Sequence, residues 1–315
     1  MSKRVMGWRH GVRTGLDLAP DAVTLVRVRG SGRRRVVIER RSEPLASGML
    51  VVSPVERNIV DEAAFDRALR AVAGRRGGRV SVALPDPVAR VGLFDVASAP
   101  ARPDEFDRLV RWHLEKAFAV ELGAARLTSQ RFSRPDGQAG IRILGSAVAQ
   151  PVISQYESAL ARAGFEPEVM DLGVFHRFNL FRARIAEAAR PDQHFIVLTI
   201  TLAALSVLIF DGGRPAYVRV KGTRRPLIGA DAAARIVDEV DLSLNAYGKE
   251  KDLSRVTHLF LSTVEPIEAL PVALAERFHL TVEPLGPGES GLSGLDESPP
   301  AFAVLAGALG AAAGR

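Results

Sequence analysis

Residues 194–222 read HFIVLTITLAALSVLIFDGGRPAYVRVKG: a long uncharged run, then Asp211-Gly212-Gly213-Arg214, then a shorter apolar–polar run. Asp-Gly and Gly-Gly pairs signal tight hairpins, because the central residues of such turns need φ > 0. The flanks are rich in Val, Ile, Leu and Thr, which suit a pleated surface. The stretch predicts strand Phe195–Thr201, a break at Leu202–Ala204, strand Leu205–Phe210, the turn, and strand Ala216–Val220. A membrane helix is the alternative. The uncharged run from Phe195 to Phe210 covers only 16 residues, short of the roughly 20 a spanning helix needs, and Asp211 follows at once.

The pattern has an echo near the N-terminus. Gly15-Leu16-Asp17-Leu18-Ala19-Pro20-Asp21-Ala22-Val23-Thr24-Leu25-Val26-Arg27-Val28 reads as strand, tight turn, strand, and Gly30-Ser31-Gly32 turns the chain into Arg35–Arg41. The same unit opening both parts of a chain suggests a duplicated architecture.

A chain of 315 residues is long enough for two domains with separate cores. The absence of cysteine excludes disulfides, thiolate metal sites and Cys nucleophiles, and fits a cytosolic chain. The basic first ten residues lead into no apolar signal-peptide core, and Ala301–Ala313 is too short to span a membrane. The formal net charge of +6 is carried mostly by arginine. Arg33, Arg34, Arg35, Arg40 and Arg41 cluster with Arg27 and Arg29, as a patch for anionic lipid or an acidic partner would. A solvated hairpin with outward arginines is the plain alternative. No aromatics interleave with these residues, so nucleic acid is not an expected partner.

Between the hairpin units, Asp61 reads as the N-cap of a helix through Val72, and Arg79–Leu84 as a buried strand ending in the turn Pro85-Asp86-Pro87. Val88–Val96 alternates as a strand. A helix from Pro103 to Phe118 carries a broad apolar face of Phe106, Leu109, Val110, Trp112 and Leu114. Arg126–Phe132 and Gly140–Ala149 form a hairpin about a Pro-Asp-Gly turn at 135–137. Helix Pro151–Ala163, strand Phe165–Met170 and helix Leu172–Ala189 complete the first part. Pro191-Asp192-Gln193 divides the chain into halves 1–192 and 193–315. The second half continues with helix Gly229–Tyr247, strand Val256–Ser262, helix Pro266–Phe278, strand Leu280–Pro284, a mobile loop Gly286–Pro300 and a final Ala-rich helix. Six histidines at 10, 113, 176, 194, 258 and 279 have no metal-ligand spacing, and no Gly-x-Ser-x-Gly or Walker A run occurs.

Five segments in order resemble the PilM family of type IV pilus assembly proteins, which share the actin-like ATPase fold with FtsA. They are Gly15–Leu18 with Val23–Val28; Ala83–Asp86 with Glu105–Lys116; Ala163–Pro167 with Asp171-Leu172 and Phe175; the hairpin at 205–220; and Glu239–Tyr247 with Leu259–Ser262. The resemblance implies an α/β fold: a duplicated actin-like (ribonuclease H-like) architecture, mixed sheets flanked by helices, with an α+β subdomain of about residues 83–165 inserted in the first half. It also places candidate nucleotide contacts at Asp17, Thr24, Thr199, Thr201, Ser206, Glu239 and Ser262, with Asp17 as the candidate Mg²⁺ ligand.

The nucleotide loops depart from that family. Backbone N–H groups of glycine turns cradle phosphate in this fold. Here Ala19 replaces a glycine, Pro20 removes a donor, and Asp21 adds negative charge. Thr199–Ala203 lacks the Asp-x-Gly of the second strand end, and Thr263-Val264-Glu265-Pro266 replaces the adenosine-side glycines. Leu242 stands where an arginine is usual. A degenerate ATPase with no cofactor is therefore expected, ATP and Mg²⁺ binding being the alternative.

The resemblance implies a cytosolic scaffold of a pilus or related machine, peripheral at the inner membrane through its partners. It would bind other assembly components and the cytoplasmic N-terminal tail of a bitopic PilN-like protein. That tail would lie between the first-half core and the inserted subdomain, with Phe94, Trp112 and Phe118 as candidate pocket residues. The alternatives are an active ATPase or phosphotransferase of the actin/sugar-kinase superfamily, and a GspL-like type II secretion component.

Overall fold

A computed structural model describes residues 11–31, 34–74, 77–134, 139–189, 193–223, 225–248, 253–295 and 299–313. The first hairpin unit forms β1 (Val12–Leu18), β2 (Ala22–Ser31) and β3 (Arg34–Pro44). Helix α1 (Glu62–Ala73) starts at Asp61, whose carboxylate accepts the Ala64 N–H at 2.9 Å, as an N-cap should. Then come β4 (Gly78–Leu84), β5 (Arg90–Val96), α2 (Pro103–Phe118), β6 (Ala125–Ser133), β7 (Ile141–Ala149), α3 (Gln150–Arg162), β8 (Phe165–Leu172) and α4 (Gly173–Ala188). The second hairpin unit is β9 (His194–Ile200), β10 (Ala204–Asp211) and β11 (Arg214–Gly222). Gly212 and Gly213 sit at φ 56° and 75°, so the Asp211–Arg214 hairpin uses the left-handed turn its sequence requires. The chain ends with α5 (Ala232–Gly248), β12 (Val256–Thr263), α6 (Leu270–Phe278), β13 (Thr281–Pro284), β14 (Leu292–Ser293) and α7 (Pro299–Ala313).

The strand order makes the duplication explicit. The first sheet runs β14-β3-β2-β1-β4-β8 and the second β11-β10-β9-β12-β13. In each, an antiparallel three-strand unit is followed by two parallel strands. The inserted sheet, β5-β7-β6, is a separate antiparallel sheet whose β5 packs against β11. Its odd-numbered β7 residues Ile143 and Ala147 pack with Phe106, Val110 and Leu114 of α2. The pleat sends the even-numbered residues to the opposite face.

Helix α7 departs from the expectation that 193–315 forms one half. It packs on β1, β2, β4 and α4, in the first core, where Phe302, Leu305 and Leu309 are buried. Small residues allow the approach. A Cβ on Gly15 would stand 2.0 Å from the Ala308 carbonyl oxygen, and one on Gly310 would stand 2.2 Å from that of His176.

Other differences are local. Helices α5 and α6 begin at Ala232 and Leu270, later than Gly229 and Pro266. The 286–300 stretch is not a featureless loop: Gly288–Ser290 makes a 3₁₀ turn, and β14 pairs with Arg35 and Val36. Trp112 is not on the apolar face of α2; it is exposed, with the Lys116 ammonium over its ring. The turn at 135–137, the Pro191-Asp192 boundary and Arg33 lie outside the described residues. The remaining arginines of the basic patch are partly used internally. Arg35 donates to the Ala313 carbonyl at 2.6 Å, capping the C-terminus of α7. Arg41 pairs with Glu39 at 2.7 Å. Arg34 and Arg40 are exposed on β3.

Candidate functional site: a closed cleft and an open channel

The first strand of each hairpin unit ends at a cleft. Residues 19–21 after β1 and 201–203 after β9 line it, with Asp86, Gly173, Arg177, Glu265 and Val304 around them. Asp17 and Asp86 are both buried here. Arg177, from α4, also buried, holds Asp17 through Nη2–Oδ2 at 3.5 Å, and its Nη1 donates to the Ala303 carbonyl at 3.2 Å. Asp86 joins three parts of the chain. Its Oδ1 accepts the Val174 N–H at 2.8 Å, capping the N-terminus of α4. Its Oδ2 accepts from Ser206 Oγ of the second sheet, also at 2.8 Å. Burial raises both carboxyl pKa values, that of Asp17 to about 6; Arg177 opposes the rise in each.

The candidate nucleotide residues divide into three groups. Asp17, Thr24 and Thr201 line the cleft. Thr24 shares a hydrogen bond with Ser42 at 3.0 Å, and Thr201 Oγ1 closes its own turn by accepting the Ala204 N–H at 3.0 Å. Ser206, Thr199 and Ser262 form a row across β10, β9 and β12, one strand apart in register, and all three are buried. Of these, Ser206 reaches the cleft through Asp86, while Thr199 Oγ1 has no hydrogen-bond partner among the described residues. Glu239 lies on α5, ion-paired to Lys221 and to Arg219. Sequence reasoning singled out neither Arg177 nor the carboxylate of Asp86. The Pro85-Asp86-Pro87 turn was legible, but its reach to α4 and Ser206 depends on tertiary packing.

The lining departs in three ways from what a magnesium nucleotide would need. The cleft encloses about 50 Å³, against the roughly 300–1,000 Å³ of small-molecule sites. The Asp17 carboxylate already faces a guanidinium, and a Cβ on Gly307 of α7 would stand 1.9 Å from its Oδ2. Asp21 and Glu265 add negative charge to the lining where phosphate would have to approach.

Open space lies instead under the inserted sheet. Two adjoining cavities of about 690 and 200 Å³ share Thr128, Ser146 and Asp171 in their linings and together make a channel-like groove. Even-numbered residues of β6 and β7, among them Phe132 and Leu144, make one wall. Phe175 and Phe178 of α4 with Phe210 and Tyr217 of the second sheet face them in the larger part; α3 and β8 border the smaller. Phe94, Trp112 and Phe118 do not line this channel. Phe94 pairs with Ile143 on the α2 face, stacked on His113 at 4.1 Å, and Phe118 lies near Gly92 beneath the Arg90 guanidinium.

No family model and no curated protein matches the sequence. Solved structures do. The PilM–PilN type IV pilus biogenesis complex is similar over 96% of this chain and 98% of its own, with a TM-score of 0.72 and 22% identity. The cytoplasmic domain of EpsL, an inner membrane component of the type II secretion system of Vibrio cholerae, covers 89% of this chain and 92% of its own, at TM-score 0.53 and 13% identity. A Bacteroides thetaiotaomicron protein with the actin-like ATPase fold covers 87% and 90%, at TM-score 0.50 and 8% identity. Among the described residues no helix is long and apolar enough to cross a membrane. With two sheets that share one order over five strands, β14 being added to the first, and a cleft where they meet, the chain has the actin-like ATPase fold.

Proposed function

We propose that the protein is an actin-fold scaffold of a type IV pilus or related secretion machine. It binds the extended cytoplasmic tail of a PilN-like membrane protein and does not turn over ATP. One contrast carries this reading: the cleft that would hold nucleotide encloses about 50 Å³, while the channel beside the inserted sheet offers about 690 Å³ in its larger part. An extended tail suits such a channel. Backbone groups pair along a sheet, and alternate side chains enter pockets; β6 is an edge strand of the inserted sheet. The likeness to the PilM–PilN complex supports the choice of partner. The protein would then stay at the inner membrane through that partner.

The test is a titration of the full chain with a synthetic N-terminal tail of a PilN-like protein from the same genome. Saturable binding is expected, weakened at least about tenfold by Ser146→Trp, which fills the channel at its waist. Tail binding that is absent, or indifferent to Ser146→Trp, contradicts the reading.

A further inference from the structure

If the channel binds a tail as proposed above, its lining also decides which tail it selects. Three polar residues line both of its cavities: Thr128, Ser146 and Asp171. The two hydroxyls satisfy each other, Oγ1 to Oγ at 2.9 Å. Asp171 Oδ1 accepts the Leu172 N–H at 2.8 Å. The other carboxylates bordering the smaller cavity are matched: Glu157 by Arg126, and Glu168 by Arg79 at 3.2 Å. Asp171 alone of the three has no cationic partner among the described residues. Arg182 borders the larger cavity, but lies roughly 14 Å along the axis of α4 from its first residue by helix rise. The Asp171 carboxylate is close enough to Asp86 to raise the cost of ionising it.

Asp171 is solvent-exposed by area, yet protein surrounds it closely enough for burial to raise its carboxyl pKa. Both hold for a group on the wall of a wet channel. Such a carboxylate has lost part of its hydration and has no counter-ion, so an arriving cation gains more there than at an open surface. Apolar walls on the larger side, Phe132, Leu144, Phe175 and Phe178, suit the neighbours of that cation.

We propose that the channel selects an extended peptide carrying a Lys or Arg beside apolar residues, and that Asp171 is the specificity-determining residue that receives the basic side chain. The occupant is a segment of a partner protein with that pattern. The carboxylate supplies charge complementarity, and the flanking walls supply apolar contact.

The test uses the full chain and a displayed random decapeptide library, counting only binders lost on Ser146→Trp. These binders should share one Lys or Arg position. Replacing that residue with norleucine should weaken binding about tenfold. Asp171→Asn keeps the Leu172 hydrogen bond through its amide oxygen. It should weaken the basic peptide by a similar factor and leave the norleucine peptide unchanged. Asp171→Lys should accept the peptide with Glu at that position, a rescue that a merely structural role would not produce. Channel binders with no shared basic position, or a basic peptide indifferent to Asp171→Asn, overturn this inference and leave the channel reading intact. A library with no binder sensitive to Ser146→Trp overturns the channel reading, and this inference with it.

Discussion

Arg177 sits where two buried carboxylates need compensation. Burying an ionised carboxylate is costly unless a charge or several hydrogen bonds compensate it. Arg177 faces Asp17 directly and lowers the ionisation cost of Asp86 as well. The compensation is incomplete, because burial still raises the Asp17 pKa from 3.8 to about 6. As pH rises, the unfolded chain releases this proton first. The folded state therefore binds more protons between pH 3.8 and about 6, and loses stability as pH climbs through that window. The loss is about 3 kcal/mol at 1.36 kcal/mol per pKa unit, and it persists above pH 6. The Asp86 shift acts in the same direction. Urea midpoints at pH 5 and pH 7.5 should show the wild type losing stability toward the higher pH, with a smaller loss in Asp17→Asn. Equal slopes in the two proteins would refute this assignment.

At the scale of elements, the close contacts of α7 are the least legible feature. The hairpins follow from turn chemistry: Asp211-Gly212-Gly213 requires positive φ, and the structure uses it. Helix α1 follows from Asp61 and its apolar face. Helix α7 is mostly alanine, glycine and leucine, so it has no polar stripe to say which side turns inward. Its partner is chosen by the absence of side chains at Gly15, Gly307 and Gly310, which becomes informative only once β1 and α4 are in place. The channel wall was hidden for a related reason. The alternation of β7 is plain, but which face receives α2 cannot be read from β7 itself. Phe94 and Phe118 are apolar residues of the α2 side, while Phe132 and Leu144 face the channel. Substituting Gly15→Ala should destabilise the protein by about 3 kcal/mol, because the new methyl meets backbone at 2.0 Å and the helix must shift. Gly11→Ala, which meets nothing within 4 Å, is the control and should be near neutral in chemical denaturation. Equal stability of the two variants would mean that α7 yields at no cost.

For the whole molecule, the two sheets repeat one order over five strands, with a cleft where their first hairpins converge. Much of this was legible, since both hairpin units and the parallel strands after them stand out in the sequence. Sequence could not foresee that Arg177 would face Asp17 and that α7 would close over it, because those residues are far apart along the chain. The account's central claim is that this cleft is filled by the protein's own charges and helix, leaving the channel to do the binding. Calorimetric titration of the full chain with Mg²⁺–ATP tests it most directly. No saturable heat up to millimolar nucleotide, and no thermal shift at the same concentration, is the predicted result. Binding in the micromolar range would contradict the account and return the enzyme reading to first place.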